Sequence, residues 1–348
     1  MNPQGARETE LQAALGAYLS QQWGAEVMVE GVSRIPGGAS RETWKCKARR
    51  DGEVRGLIVR IDPETSLIDT DRATEYRTVA AVFKAGLPVP EPLFLEHDFA
   101  WLGRPFSITS EVTGCDAAPG GIPPEHRDAI GQRKWALLGQ IAALDPAVLQ
   151  LESFMPKTTV EQCALDQLEY WAKVIVDDEI HLNPVAHAAI RWLRRHPPPP
   201  AQKLSLVHGD FRTGNFLYTP DGRIEAILDW EMAHIGDPLE DLAWSLDPIW
   251  HWHLPELAGG LLPHRQAIAH WQKASGLTCD LAAFRWWRVF ASVKGIAIWI
   301  SSSEDYQNGA AKAPILAMAG WLMTDRQQQI LVDYLSPHSA HRFSQGLS

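Results

Sequence analysis

Cysteine is scarce in this chain, with only four among 348 residues: Cys46, Cys115, Cys163 and Cys279. They lie far apart and include no C-x-x-C pair. Structural zinc sites and disulfide-stapled folds need closely spaced or numerous cysteines, so neither is indicated. The pattern predicts reduced, mostly structural thiols in a cytoplasmic protein.

Positive charge is also in short supply, because 32 Lys and Arg stand against 42 Asp and Glu, a formal net charge of −10. Nucleic acids and anionic membranes attract basic surfaces, so we expect neither as a partner. Residues 1–12 lack the apolar core of a signal peptide, and no stretch approaches the ~18 consecutive apolar residues of a membrane span. At 45% hydrophobic and 21% charged residues, the composition is globular, and the length suggests roughly two domains.

The first part of the chain alternates apolar runs with turn signals. Helices are predicted over residues 8–23 and 71–84, and strands over 27–35, 43–48, 56–61, 92–96 and 106–112. Asp51-Gly52 is a hairpin signal, which favours antiparallel pairing. We therefore predict a small, antiparallel, β-rich lobe over residues 1–112, with a hinge at about 107–114.

Beyond the hinge the pattern becomes mainly helical. Helices are predicted over residues 125–144, 160–180 and 184–195, short strands over 204–207, 215–218 and 223–228, and a helical pattern from 239 to about 334. The fold class predicted is therefore α+β, with a larger, mainly helical second lobe over residues 113–348.

The chemistry is concentrated in residues 207–217 and 227–231. Asp210 follows a predicted strand, Asn215 comes five residues later, and Asp229 ends the next hairpin. Asn and Asp side chains offer the hard oxygen ligands that Mg²⁺ prefers, and a further carboxylate can accept the proton of an attacking hydroxyl. This spacing predicts a phosphate-transferring site, in which Asn215 and Asp229 bind Mg²⁺ and Asp210 is the base.

The pattern His-Gly-Asp-x-x-x-x-Asn at 208–215, followed by Ile-Leu-Asp-Trp at 227–230, resembles the aminoglycoside phosphotransferase and choline kinase branch of the protein-kinase-like fold. The resemblance continues through Gly-Asp-Pro at 236–238 and Asp-Leu-Ala at 241–243. It is closest to the kinase-like domains that resemble partners of acyl-CoA dehydrogenases. A bilobal protein-kinase-like fold is what this resemblance implies.

The resemblance also implies roles for individual residues. Asp210 would be the catalytic base and Asn215 and Asp229 the magnesium ligands. Supporting roles, through hydrogen bonds to the catalytic segment, would fall to His208, Asp237 and Asp241. Gly209 replaces the arginine that protein kinases carry at this place in the motif, and this difference points to a small-molecule acceptor.

In the first lobe, the resemblance implies a nucleotide site for ATP, with GTP as the alternative. Arg60 stands where most members have a phosphate-gripping lysine, and arginine can grip phosphate bidentately. Glu75 would be the ion-pair partner of Arg60, although an ordinary solvated helix acid is the alternative. The other implied contacts are a phosphate-covering loop with Gly37, Gly38 and Ser40, and backbone groups near Glu111 and Val112 that meet the adenine.

Two further features are weaker signals. Most of the fifteen tryptophans lie in the second half of the chain, where helical spacing is typical of core residues, although some could line an acceptor site. His251 and His253 lie close together, but their spacing is a poor indication of a metal site. Residues 229–241 contain five acids and no Lys or Arg, which favours a cationic or neutral acceptor over an anionic one.

The sequence leaves more than one function open. The first hypothesis is an ATP-dependent, Mg²⁺-requiring phosphotransferase acting on a hydroxyl of a small molecule such as an amino alcohol, a sugar or a hydroxyacyl compound. The alternative is a catalytically silent kinase-like module that binds a nucleotide or metabolite, suggested by Arg60 and the irregular glycine loop. A two-metal phosphohydrolase is a weaker third reading, because the additional His and Asp ligands are missing.

Overall fold

A computed structural model describes residues 3–35, 42–62, 72–251, 254–309 and 314–336. The chain divides into two compact units, Met1–Gly114 and Cys115–Ser348. The predicted phosphate loop with Gly37, Gly38 and Ser40 lies outside the described residues.

The first unit is built on a five-stranded antiparallel sheet of order β1-β2-β3-β5-β4. Its elements are α1 (Pro3–Trp23), β1 (Met28–Ile35), β2 (Glu42–Arg50), β3 (Glu53–Ile61), α2 (Arg72–Lys84), β4 (Pro92–Glu96), α3 (Phe99–Leu102) and β5 (Phe106–Ser110). Asp51 and Gly52 both have positive φ, 51° and 86°, as the predicted tight hairpin between β2 and β3 requires.

The core of this unit lies between α1 and one face of the sheet. Leu11, Leu15 and Leu19 recur every four residues along α1 and are almost fully buried. In β3, Leu57 and Val59 are likewise buried, because alternate side chains of a strand face the same way. This packing fixes β3, which carries Arg60.

The second unit is mainly helical. Its elements are α4 (Arg127–Ala143), α5 (Cys163–Asp178), α6 (Pro184–Arg195), β6 (Ser205–Val207), β7 (Phe216–Tyr218), β8 (Ile224–Ile227), β9 (His234–Gly236), α7 (Leu239–Ser245), β10 (Leu257–Ala258), β11 (Leu262–Pro263), α8 (His264–Ser275), α9 (Leu281–Gln307), α10 (Pro314–Met318), a π-helix (Ala319–Met323) and α11 (Thr324–Leu335). β6 pairs with β9 and β7 with β8, each antiparallel. The segment that carries chemistry thus connects two short hairpin-like pairs.

Two element predictions differ from the structure. The strand predicted over 106–112 ends at Ser110, so Glu111 and Val112 follow it. The helical pattern predicted from residue 239 onward is wrong between Ser245 and His264, where the chain forms the β10–β11 pair. Pro248 and Pro255 lie in this interval, and proline disrupts a helix interior.

Two structural facts bear on the composition. None of the four cysteines forms a disulfide. In the described part of the chain, no helix combines the length and apolar character needed to cross a membrane.

Candidate active site

Asp210 is the third residue after β6, and both oxygens of its carboxylate accept hydrogen bonds. Oδ1 accepts a hydrogen bond from Nε1 of Trp244 at 2.8 Å. Oδ2 accepts from Nδ2 of Asn215 at 2.6 Å and from Nε of Arg212 at 3.3 Å. The Asp210 side chain is 15% exposed to solvent, so a ligand can reach it. A carboxylate held in one orientation and partly exposed is suited to accept a proton.

Asn215 and Asp229 are brought together by backbone pairing. Leu228 donates its N–H to the carbonyl of Asn215 at 2.9 Å, and Asp229 is the next residue. Asp229 has φ of 68°, a left-handed conformation uncommon for a residue other than glycine and often found at functional sites.

The chemistry of this pair fits a magnesium ion. Nδ2 of Asn215 donates hydrogen bonds to Asp210, whereas Oδ1 of Asn215 accepts no hydrogen bond from the described residues. An amide oxygen from Asn215 and a carboxylate from Asp229 are oxygen donors of the kind Mg²⁺ takes, and water and substrate phosphates would fill the remaining positions. No group of three or more His, Cys, Asp or Glu in the described ranges could hold a metal ion.

His208 is fully buried and braces the loop from inside. Its Nδ1 accepts the backbone N–H of Asp210 at 3.1 Å, and its Nε2 faces the carbonyl of Leu228 at 2.9 Å. One acceptor and one donor nitrogen define a neutral ring with its proton on Nε2. Burial lowers the pKa of His208, which agrees with this neutral state. His208 therefore ties the loop at Asp210 to the strand end at Asp229.

Gly209 can be only glycine in this conformation. Its φ is 85°, and a Cβ at this position would overlap the backbone carbonyl oxygen of Met232. An arginine here, as in protein kinases, would need both a rearranged backbone and space that Met232 occupies.

Asp241 and Asp237 support the site through buried hydrogen bonds. The carboxylate of Asp241 accepts the backbone N–H groups of His208 at 2.6 Å and Gly209 at 2.9 Å. Asp237 accepts from Nε1 of Trp287 and from the backbone N–H of Leu239, both at 2.9 Å. Burial raises the pKa of Asp241, and it raises the pKa of Asp237 to about 6 despite these two bonds. Both carboxylates hold the loop and the start of α7 in place.

A buried ionic network contacts the loop that carries Asp210. Lys294 of α9 donates to the carbonyl of Gly209 at 2.7 Å and to Glu240 at 2.9 Å. His234 faces Glu240 with Nε2 and the carbonyl of Met232 with Nδ1, each at 3.0 Å, an arrangement that favours the protonated ring. Burial opposes protonation of His234, but the charge of Glu240 outweighs it and raises the pKa of the ring. Burial alone would raise the pKa of Glu240, but Lys294 and His234 outweigh it and lower that pKa to about 2.

These contacts change how the acidic segment is interpreted. Asp237, Glu240 and Asp241 are buried and bonded within the protein. A cationic group, Arg212, contacts Asp210 directly, and its guanidinium lies 5.1 Å from the ring centroid of Trp250. The acid count therefore does not show a preference for cationic or neutral acceptors.

Three residues of the site were missed by the sequence predictions: Arg212, Trp244 and Lys294. Arg212 lies inside the recognised motif, two residues after Asp210, and this short spacing could have indicated a contact between the two side chains. Trp244 follows the Asp-Leu-Ala element directly, but nothing in the pattern says where its indole points. Lys294 has no local signal, because it is 85 residues from Gly209 in the chain.

In the first unit, Arg60 and Glu75 form the predicted ion pair, with Nη1 and Oε1 2.5 Å apart. Arg72 donates to the Arg60 carbonyl at 2.8 Å and to Ser107 Oγ at 3.1 Å, which fixes the end of β3 against β5. The nucleotide-binding role of the pair stays a prediction.

Beyond β5, the backbone N–H of Glu111 donates to the carbonyl of Gly56 at 2.9 Å. This donor is therefore already used. The sequence analysis predicted that backbone groups near Glu111 and Val112 contact the adenine. For Val112 and for the carbonyl of Glu111, this contact stays a prediction.

His251, which is buried, and His264, which is half-buried, form a hydrogen-bonded pair, with their Nε2 atoms 3.1 Å apart. Burial lowers the pKa of both rings to about 4. His253 lies outside the described residues. The two described rings are therefore neutral at pH 7 and act as packed, hydrogen-bonded residues.

We expect this pair to make the fold sensitive to acid. A histidine with a lowered folded pKa stabilises the protein fully above its unfolded pKa of about 6.5, and the contribution is lost as pH falls toward 4. His264→Gln should remove part of this loss, up to roughly 3 kcal/mol, between pH 7 and 4. Urea unfolding at several pH values measures it, with the exposed His97→Gln as the control. Identical pH dependence in His264→Gln and wild type would contradict the expectation.

Comparison with known proteins adds family evidence. The profile of the phosphotransferase enzyme family matches residues 31–277, more than two thirds of the chain. Human acyl-CoA dehydrogenase family member 11 is 29% identical over 279 residues, which cover 76% of this chain and 35% of that protein. The chain thus spans about a third of this relative's length.

Solved structures agree on the fold. A Ralstonia eutropha JMP134 protein assigned as an aminoglycoside phosphotransferase has a TM-score of 0.73 and 22% identity, covering 92% of this chain and 97% of that one. A thermostable mutant of aminoglycoside phosphotransferase APH(4)-Ia, in a ternary complex with AMP-PNP and hygromycin B, has a TM-score of 0.58 and 18% identity, covering 93% and 99%.

These findings confirm the predicted fold class, a bilobal, protein-kinase-like α+β fold. They also confirm the resemblance to the aminoglycoside phosphotransferases and to the acyl-CoA dehydrogenase family proteins. The chain belongs to the phosphotransferase enzyme family.

Proposed function

We propose that this protein is an ATP-dependent, Mg²⁺-requiring phosphotransferase that moves the γ-phosphoryl group to a hydroxyl of a small molecule. The observation that carries the proposal is the Asp210 carboxylate, which is partly exposed and oriented by Trp244, Asn215 and Arg212. A hydroxyl must lose its proton as its oxygen bonds to phosphorus. A fixed carboxylate at that point can take the proton.

The residues around Asp210 supply charge for the transferring group. Arg212 is 27% exposed, and its two terminal nitrogens have no acceptor within the described residues, so they can neutralise phosphoryl oxygens. Asn215 and Asp229 would hold Mg²⁺, which when bound neutralises the phosphate charge. Enzymes catalyse phosphoryl transfer mainly by positioning the reactants and by stabilising the charge of the transferring group.

For the nucleotide, we propose that Arg60 binds phosphate and that Glu75 orients it. Their ion pair is the supporting observation, because a guanidinium held by a carboxylate keeps a defined direction. The remaining proposed contacts are Gly37, Gly38, Ser40, Glu111 and Val112. ATP is the proposed donor, and GTP is the alternative to compare with it.

For the acceptor, Gly209 supports a small molecule, because the arginine of protein kinases has no room there. The relative's name associates it with acyl-CoA metabolism, so hydroxyacyl compounds belong in the first acceptor set. Amino alcohols and sugars complete that set, since the fold by itself does not determine which class of acceptor is bound.

The experiment that tests the proposal is a screen for acceptor-stimulated ADP release. A thermal shift with ATP, with and without Mg²⁺, runs beside it. Metal-dependent binding together with acceptor-dependent ADP release supports the phosphotransferase. Binding without ADP release for any alcohol would favour the silent module.

Replacing the proposed metal ligand should change the metal requirement. We expect Asp229→Asn to raise the Mg²⁺ concentration for half-maximal activity by about 10–100-fold, because an anionic ligand becomes a neutral one. A magnesium titration of ADP release measures this effect. Asp221→Asn, the same change at an exposed side chain in the β7–β8 turn, is the matched control. An unchanged magnesium requirement in Asp229→Asn would exclude Asp229 as a ligand.

A further inference from the structure

Trp244 is the side chain that contacts Asp210 from α7. It is 1% exposed, and its indole N–H donates to Oδ1 of Asp210 at 2.8 Å, across 34 residues of chain. The ring itself is held on two sides. Trp250 packs edge-on at 5.2 Å between centroids, and Nζ of Lys294 lies 5.4 Å from the centroid of Trp244.

The two oxygens of Asp210 are not equivalent. Oδ2 accepts two hydrogen bonds, from Asn215 and Arg212, whereas Oδ1 accepts one, from Trp244. An ionised carboxylate has about four acceptor positions, two on each oxygen. Among the residues that the structure describes, the position that stays open is therefore on Oδ1, next to the indole of Trp244.

We propose that Trp244 is a positioning residue for the base, which fixes the Asp210 carboxylate so that the open position of Oδ1 receives the acceptor hydroxyl. This role rests on the proposed phosphotransferase function. In the transfer step the hydroxyl proton moves to Oδ1 and the hydroxyl oxygen bonds to phosphorus. The bond from the γ-phosphorus to the bridging oxygen breaks, and ADP leaves with that electron pair.

The rigidity of the indole is what makes this role effective. Without its donor, the carboxylate is held only at Oδ2 and can rotate about its terminal bond, which has a broad torsional well. Small displacements of a reacting group can cost about 100-fold in rate. The nucleotide does not depend on this bond, so the loss should fall on kcat and not on KM for ATP.

The test compares Trp244→Phe with Trp271→Phe. Both remove a buried indole N–H, but that of Trp271, on α8, has no partner within the described residues. We expect Trp244→Phe to lower kcat by about 10–100-fold with KM for ATP within about threefold of wild type. Trp271→Phe should keep kcat within about threefold, because it loses packing and no hydrogen bond. Thermal unfolding of both variants separates lost stability from lost rate.

A second measurement needs no turnover. In the amide and indole NMR spectrum, the resonance that disappears in Trp244→Phe identifies the indole of Trp244. We expect that resonance to move upfield in Asp210→Ala, because the carboxylate acceptor is gone.

The outcomes distinguish the role from the function. An active wild type in which Trp244→Phe has the same kcat as Trp271→Phe overturns the positioning role and leaves the phosphotransferase standing. An indole resonance that does not move in Asp210→Ala also overturns it. A wild type that releases no ADP with any acceptor overturns the proposed function, and the role with it.

Discussion

Asp210→Asn is expected to lower kcat for phosphoryl transfer by about 10³-fold or more, while the Mg²⁺–ATP thermal shift stays close to that of wild type. An amide preserves the size of the side chain, and its oxygen can still accept from Trp244. It cannot take the proton of the acceptor, which typically costs 10²- to about 10⁴-fold. ADP release with a saturating acceptor measures the loss.

The control for this variant is Asp128→Asn, the same change at an exposed acid of α4. It should leave both kcat and the thermal shift unaltered. Full turnover in Asp210→Asn would remove Asp210 from the role of base. Loss of the Mg²⁺–ATP thermal shift together with activity would show that the residue serves binding instead.

The second large effect is expected from Lys294→Met, which should lower the free energy of unfolding by about 3–5 kcal/mol. Lys294 is 1% exposed and pairs with Glu240, which is equally buried. Removing Lys294 leaves the buried Glu240 with His234 as its remaining charged partner among the described residues. Removing one partner of a buried ion pair is the strongly destabilising case. The substitution also leaves the carbonyl of Gly209 without its donor. Denaturant unfolding at pH 7 measures the change.

A double variant tests the cause of that loss. Lys294→Met combined with Glu240→Gln should be more stable than Lys294→Met alone, because the buried negative charge is removed as well. Glutamine can still accept from His234, so that contact survives in part. A Lys294→Met protein within about 1 kcal/mol of wild type would show that the network contributes little.

The proximity of the proposed site residues could be predicted because they are close together in the chain. Asp210, Asn215 and Asp229 belong to one loop and the hairpin that follows it, and the structure joins them through the Leu228–Asn215 backbone bond. For Gly209 the sequence showed only that glycine replaces the arginine of protein kinases, and its conformation comes from the structure. Its conformation depends on φ of 85° and on Met232, a residue of the same short region.

What the sequence did not reveal depends on tertiary packing. The position of Trp244 in the sequence is equally consistent with an ordinary core tryptophan. The structure shows that its indole N–H donates to Asp210. Charge counting could not decide the acceptor for a related reason: the number of acids between 229 and 241 does not show that Glu240 points inward to Lys294. The pairing partner comes from α9, and no local pattern connects the two segments.

The helix predicted after residue 239 was wrong because the spacing of apolar residues was given more weight than the prolines and glycines that interrupt it. Pro248 and Pro255 were visible, yet the surrounding tryptophans and leucines suggested a continuing helix. The structure places the β10–β11 pair there. Short strands of two residues leave almost no period-2 signal, so tertiary contacts decide them.

The most direct test of the central claim is the transfer of label from γ-labelled ATP to an alcohol acceptor in the presence of Mg²⁺. We predict a labelled, acceptor-dependent product with the wild-type protein, and a yield at least about 10³-fold lower with Asp210→Asn. A wild-type protein that binds Mg²⁺–ATP but labels no acceptor of the amino alcohol, sugar or hydroxyacyl classes would contradict the claim.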